Sequence, residues 1–263
     1  MEEYVKEGYV LITGATSGIG YELCKVFAQN GHNLIIHGKD LKKLEKVKCL
    51  LKINSNNKIK IESISANLLN LQEIDFMVEL IKSKKWVIKY LVNNAGIGSF
   101  GSTKDIDINK DMNIIDINIR ALTYLIKIFL DEIIKEQGGI LNVSSTAAFS
   151  PGPYMNVYYS SKTYVRYFTE ALREELQGTG VKVSVLYPGA TKTNFQNKAQ
   201  IKKAKFTNSN LMKSDKVAKI GYKGFMRNKV VIIPGIKNKI LVFFSKILPN
   251  KILCRIIKKA NNG

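Results

Sequence analysis

Cysteine, histidine, proline and acid are all scarce in this chain of 263 residues, and each shortage removes a class of protein. Three cysteines, Cys24, Cys49 and Cys254, are scattered without a CxxC pair, and their odd number argues against a disulfide framework. The two histidines, His32 and His37, have no Cys or His neighbour at ligand spacing, so no catalytic metal is expected. No apolar run is long enough to cross a bilayer without a charge. Met1 to Glu7 is polar and carries acids, so it does not read as a signal peptide, and a cytoplasmic protein is expected. Acids number 21 against 41 lysines and arginines, a formal net charge of +20. Such a surplus can attract nucleic acid, anionic lipid or an acidic substrate. The lysines are spread along the chain, however, and no helix-turn-helix, zinc-finger or RNA-binding signature accompanies them. A nucleic-acid partner is therefore not expected.

What is present is a regular alternation of apolar, β-branched runs with helical patterns. Strands are predicted at Gly8 to Thr13, Asn33 to His37, Lys58 to Ser65, Lys89 to Asn93, Gly139 to Ser144, Val181 to Tyr187 and Val230 to Ile233. Helices are predicted at Gly18 to Asn30, Asp40 to Leu51, Leu71 to Lys82, Asn109 to Gln137 and Asn156 to Gln177. Strand and helix at this spacing imply parallel strands with right-handed helical crossovers, hence an open, doubly wound α/β sheet of about seven strands with helices on both faces. One domain spans residues 1–235, and residues 236–263 form a basic extension. Ligands in such sheets bind beyond the carboxyl ends of the strands.

The segment Thr13-Gly14-Ala15-Thr16-Ser17-Gly18-Ile19-Gly20 closes the first strand and opens the first helix. Gly14 permits a tight turn, Gly18 lets backbone approach a diphosphate, and Gly20 permits close helix–sheet packing. The helix N-terminus adds free N–H groups. The spacing Gly-x3-Gly-x-Gly resembles the TGxxxGIG cofactor motif of the short-chain dehydrogenase/reductase family. Four further segments match that family in order: Asn93-Asn94-Ala95-Gly96 (NNAG), Asn118 before a Leu-Thr pair, Ser145 thirteen residues ahead of Tyr158-x-x-x-Lys162, and Pro188-Gly189 with Thr193 downstream.

The resemblance implies a Rossmann-type fold, a nicotinamide cofactor, and interconversion of a carbonyl and a secondary alcohol by hydride transfer. It implies that Tyr158 is the general acid/base, with Lys162 and the oxidised nicotinamide drawing its pKa down from about 10. Ser145 is expected to stabilise charge on the substrate oxygen, in preference to Ser144, and Asn118 to hold a water near the lysine. Gly14, Thr16, Ser17, Gly18, Ile19, Gly20, Asn94, Ala95, Gly96, Pro188, Gly189, Thr191 and Thr193 are expected at the cofactor, together with Tyr158 and Lys162. Asn67 and Leu68, after the third strand, are expected near the adenine, although many relatives carry Asp where Asn67 stands. The second strand ends His37-Gly38-Lys39-Asp40. Gly38 occupies the place of the acid that binds a ribose 2'-hydroxyl, Lys39 follows it, and Asp40 comes one or two positions too late. NADP(H) is therefore the expected cofactor, with NAD(H) still open.

Substrate selection is expected from Ala147 to Val157, rich in Phe149, Pro151, Pro153, Tyr154 and Met155, and from a loop at about 194–214. The loop carries Lys198, Lys202, Lys203 and Lys205 without an acid. An apolar ketone such as a hydroxysteroid, a 3-oxoacyl compound or another ketone fits the first segment. A cofactor-sensing protein with little catalysis is the alternative. The tail, Ile236 to Lys259, alternates apolar clusters with lysine and arginine. It either rests on anionic lipid as an amphipathic segment or packs on the core, over the substrate mouth or a partner subunit. Related enzymes pair through their two long helices, which leads to a homodimer or homotetramer as the expected assembly.

Overall fold

The structure is a computed structural model and describes residues 6–55, 58–195, 199 and 211–262. Lys198, Lys202, Lys203 and Lys205 lie outside the described residues, as does most of the loop expected at 194–214. Strands β1 (Lys6–Ile12), β2 (His32–Gly38), β3 (Ile61–Ser65), β4 (Ile88–Asn93), β5 (Gly139–Val143), β6 (Lys182–Leu186) and β9 (Val231–Ile232) form one sheet. Its order is β3-β2-β1-β4-β5-β6-β9, and every pairing is parallel. The direction of winding reverses between β1 and β4, which opens a crevice at their carboxyl ends.

Alternation along β1 decides which layer each side chain joins. Val10 and Ile12 enter a core with Leu23 and Phe27 of α1 (Gly18–Gln29), Leu44 of α2 (Leu41–Asn54) and Phe225 of α7 (Ser214–Met226). Leu11 points the other way. It joins Met77 of α3 (Leu71–Ser83), Leu125 and Phe129 of α5 (Leu122–Lys135), and Val165 of α6 (Asn156–Glu175). Both faces are covered, so β2 and β5 are buried along their whole length, with Leu34-Ile35-Ile36 and Ile140-Leu141 as their apolar centres. Both histidines serve this core. The His32 ring lies edge-on to Phe27 and Tyr90, and His37 Nε2 is 3.0 Å from the Ala66 carbonyl oxygen.

The main departures from expectation lie in the helices. The long helix expected from Asn109 to Gln137 is interrupted: α4 (Ile108–Ile115) passes into a π-helical turn, Asp116–Ala121, before α5. Helix α7 was not expected. Gly221 and Gly224 weaken its helical pattern, yet they are what allow it to approach Leu186 and Ile232. A short parallel pair, β7 (Thr191–Lys192) with β8 (Met212–Lys213), follows β6 in the chain and was also not expected. The tail forms two helices, α8 (Ile236–Ile247) and α9 (Asn250–Asn262). No helix among the described residues is long and apolar enough to cross a membrane.

Candidate active site

The ends of β1 and β4 are tied together before any ligand is considered. Thr13 Oγ1 accepts hydrogen bonds from the backbone N–H groups of Asn94 and Ala95, each at 3.0 Å. The Asn94 side-chain amide donates to the carbonyl oxygens of Thr13 (2.9 Å) and Gly14 (3.2 Å). Gly14 (φ +67°) and Gly18 (φ +57°) are left-handed, where side chains are strained. A Cβ on Gly20 would lie 2.3 Å from both Asn94 Nδ2 and the Gly14 carbonyl oxygen, so the glycine there is a matter of backbone proximity. Ser17 stands at the N-cap of α1 without a side-chain bond, and the first turn has no acid. The N–H groups that begin α1 thus remain available to an anion. The segment after β6 closes the other side: a Cβ on Gly18 would be 3.1 Å from the Thr193 methyl, and Thr191 Oγ1 donates to the Gly189 carbonyl. Ile19 is partly buried against the α1 core. This cradle fits a dinucleotide diphosphate.

At the end of β2, Gly38 lies beneath Thr16, and a Cβ at Gly38 would come 2.8 Å from the Thr16 methyl. Lys39 is exposed. Asp40 caps α2, accepting from Lys43 N–H at 3.0 Å and pairing with the Lys43 ammonium. At the end of β3, Asn67 N–H donates to Glu73, Asn67 Oδ1 accepts from Leu69 N–H at 3.3 Å, and Leu68 is buried.

Tyr158 and Lys162 lie one turn apart on α6, and both are buried. The Ser145 hydroxyl, at the end of β5, is hydrogen-bonded to the Tyr158 phenol. Ser145 Oγ also accepts from Ala147 N–H at 3.1 Å and donates to the Pro188 carbonyl at 3.4 Å. Ser144 instead donates to the Lys162 carbonyl, inside the packing. Lys162 Nζ donates to the Val143 carbonyl at 3.1 Å and sits 6.0 Å from the centre of the Tyr158 ring. Burial pushes the Tyr158 phenol up to about 12, against a smaller downward pull from Ser145. It pushes Lys162 down to about 8. Lys162 was expected to lower the phenol jointly with a bound oxidised nicotinamide, and in the protein alone burial is the larger influence on Tyr158.

Asn118 sits in the π turn and is fully buried. Its Oδ1 accepts from Ile97 N–H and its Nδ2 donates to the Ile97 carbonyl, both at 3.0 Å, while Nδ2 also donates to Ser161 Oγ at 2.9 Å. Asn118, expected to hold a water near the lysine, is also a clamp on the loop after Gly96. A Cβ on Gly96 would lie 3.2 Å from Lys162 Nζ and 3.3 Å from Asn118 Oδ1, so glycine lets that loop pass between them.

Beyond Gly96 opens a cavity of about 420 Å³ lined by Ile97, Gly98, Phe100, Ile106 and Phe195 among others. Phe195 lies at the start of the loop expected to select substrate, although it was not singled out there. Its ring centre is 5.3 Å from that of Tyr158, and a Cβ on Gly98 would touch both rings. A second unanticipated residue comes from the far end of the chain. Asn261 hydrogen-bonds the Tyr159 phenol and donates to the Pro153 carbonyl at 2.8 Å. Among the described residues no group of His, Cys, Asp and Glu could hold a metal ion.

The profile of a family described as short chain dehydrogenase matches residues 8–204. The chain is 32% identical over 189 residues to sulfoacetaldehyde reductase 2 of Chromohalobacter salexigens, covering 71% of this chain and 73% of the relative. A short-chain dehydrogenase from Sphingobium yanoikuyae, solved in complex with NADPH, is 28% identical and superposes with a TM-score of 0.80 over 87% of this chain and 88% of that one. The 3-ketoacyl-(acyl-carrier-protein) reductase of Brucella melitensis, in complex with NADH, is 25% identical, with a TM-score of 0.76 over 88% and 97%.

Proposed function

The chain belongs to the short-chain dehydrogenase/reductase family of alcohol/carbonyl oxidoreductases, and from that premise we propose that it reduces an apolar ketone with NADP(H). The observation that carries the reading is the convergence of Ser145, Tyr158 and Lys162 beside a cavity at the carboxyl ends of β4 and β5 whose wall combines apolar Ile97, Phe100, Ile106 and Phe195 with polar Ser99, Asp105, Lys110 and Asn113. Gly14, Thr16, Ser17, Gly18, Ile19 and Gly20 would hold the diphosphate side of the cofactor, with Asn94, Ala95, Gly96, Pro188, Gly189, Thr191 and Thr193 around the nicotinamide half. When bound, the nicotinamide supplies or accepts the hydride.

The protein's own groups handle the proton. The Tyr158 phenol would donate its proton to the carbonyl oxygen as hydride arrives at carbon, and would accept the alcohol proton in the reverse direction. Ser145 shares the phenol's hydrogen bond and is placed to hold the same substrate oxygen while negative charge develops on it. Lys162 places a partly desolvated cation behind the phenol, and Asn118 fixes the loop that separates the lysine from the cavity. Phe195, Phe100 and Ile97 would contact the apolar part of the substrate.

The preference for NADP(H) rests on the end of β2. No carboxylate is free there to take a ribose 2'-hydroxyl, since Asp40 is engaged by α2 and Gly38 is overlain by Thr16. Lys39 is exposed and can reach a 2'-phosphate. Exposed Ile128 on α5 and Tyr167 on α6 suit pairing of copies through the long helices, and a cytoplasmic homodimer or homotetramer completes the reading.

Tyr158→Phe tests it. The variant should fold, bind NADPH, and lose about 10²- to 10⁴-fold in kcat on a panel of ketones. A variant as active as the wild type would refute the proton-donor role. A wild type that binds NADPH but reduces nothing on the panel would favour the sensor alternative.

A further inference from the structure

Helix α8 is amphipathic in the wrong sense for a helix held by a core. Val242 is its one fully buried apolar residue, and Asn238 and Ser245 lie on the same side. Asn238 is pressed against Gly189, where a Cβ would lie 2.3 Å from its side chain. Ile236, Ile240, Phe243, Phe244 and Ile247 recur at helical spacing on the opposite side. All five are at least half exposed, Ile236 by 69% and Phe243 by 59%. A surface helix normally turns such a stripe inward. Ile252 and Ile256 of α9 are exposed as well, while Leu253 and Asn261 hold that helix to the body.

The charge around the stripe is of one sign. Lys237, Lys239 and Lys246 flank it on α8, and Lys251, Arg255, Lys258 and Lys259 follow on α9, with no acid from Ile236 to the last residue. Among the described tail residues the structure shows no ion pair for these cations. Two copies meeting stripe to stripe would bring two acid-free basic helix pairs together, which like-charge repulsion opposes.

We propose that α8 and α9 seat the protein on an anionic lipid surface, with the Ile236–Ile247 stripe in the acyl boundary and the lysines at the headgroups. The tail that would touch lipid also rests on the substrate side of the molecule. Lys246 lies over the Phe149 ring, and Asn261 bridges Pro153 and Tyr159, next to Tyr158. Seating would hold the cavity beside the bilayer, where apolar ketones partition. The proposal itself does not depend on catalysis, so its test can fail while the reductase reading stands.

The test is co-sedimentation of the full chain with phosphatidylcholine vesicles, with and without phosphatidylglycerol. Binding is expected to the anionic vesicles only and to fall steeply with salt. Phe243→Ser/Phe244→Ser should weaken it by more than about ten-fold. Each of Lys237→Gln and Lys239→Gln should weaken it by about five-fold. Circular dichroism and NADPH binding should be unchanged in all three, because these side chains lie outside the core. Failure of the wild type to bind at low salt, or equal binding by the double serine variant, would overturn the proposal. So would a wild-type dimer, seen by light scattering, that the double serine variant converts to monomer without any vesicle binding.

Discussion

Replacing Gly38 by Asp would install the missing carboxylate at the end of β2, and the structure allows both consequences to be sized. The first is steric. The new Cβ would sit 2.8 Å from the Thr16 methyl, against about 3.5–4.0 Å for a relaxed carbon contact. Thr16 is β-branched and stiff, and it belongs to the cofactor loop, so the loop must shift by up to about 1 Å. Overpacking of this kind costs about 1–3 kcal/mol, or about 2–10 °C in Tm for a chain of this size. The second consequence is electrostatic. A carboxylate about 4 Å from a 2'-phosphate costs between about 1 kcal/mol in water and about 4 kcal/mol at a protein surface, about five-fold to 1000-fold in NADPH affinity. Gly38→Ala isolates the first effect, and adding Thr16→Ala to Gly38→Asp relieves it while keeping the charge. Fluorescence titration with NADPH and NADH, alongside thermal melts, separates the two. The double variant should recover stability, bind NADPH weakly and bind NADH better than the wild type. If it bound NADPH as well as the wild type, the 2'-phosphate would not lie at this end of β2, and the NADP(H) preference would lose its basis.

Other outcomes follow from buried groups. His37 is held down to about 4 by burial, from an ordinary value near 6.5, so the unfolded chain binds more protons between those values. Stability should therefore be intact above pH 6.5 and fall by about 3 kcal/mol as pH drops to 4; a His37→Gln variant whose urea midpoint fell just as steeply over that range would refute this origin. Asn118→Leu would strip both Ile97 backbone groups of their partner and should destabilise by about 2–4 kcal/mol in urea unfolding. Phe195→Ala removes the ring against Tyr158 and should raise KM about ten-fold for bulky ketones, with little change in kcat for acetone-sized ones; an unchanged KM would remove Phe195 from the substrate wall.

The sheet was legible in the sequence because its strands are buried on both faces and its crossovers are regular. Ends differ by a residue or so in most strands and by more in β3, which starts at Ile61 instead of Lys58 because it is an edge strand paired only to β2. The motif residues were legible because each sits at a strand end, where local sequence and position coincide. The contacts that shape the site were harder to read. Thr16 over Gly38, Phe195 against Tyr158 and Asn261 on Tyr159 join segments far apart in the chain, and nothing local to any of them marks the partner. Helix α7 was hidden by its own packing glycines. The sequence showed the tail to be amphipathic, but the direction of its apolar side depends on Asn238 fitting against Gly189, which only tertiary structure fixes.

The widened turn at Asp116–Ala121 sets a rule about chain length. A turn of this kind holds one surplus residue relative to an ordinary helix. Losing one residue between 116 and 121 would let the backbone tighten into an ordinary helical turn with the helices on either side still in phase, because the wide turn spends about one residue more on the same full rotation. Leu125 and Phe129 would stay on the sheet, and the cost would fall on Asn118, which the tighter turn would draw away from Ile97. The surplus residue therefore serves the aim of Asn118 and not the packing of α5, although the stretch looks from sequence like the middle of an unremarkable helix.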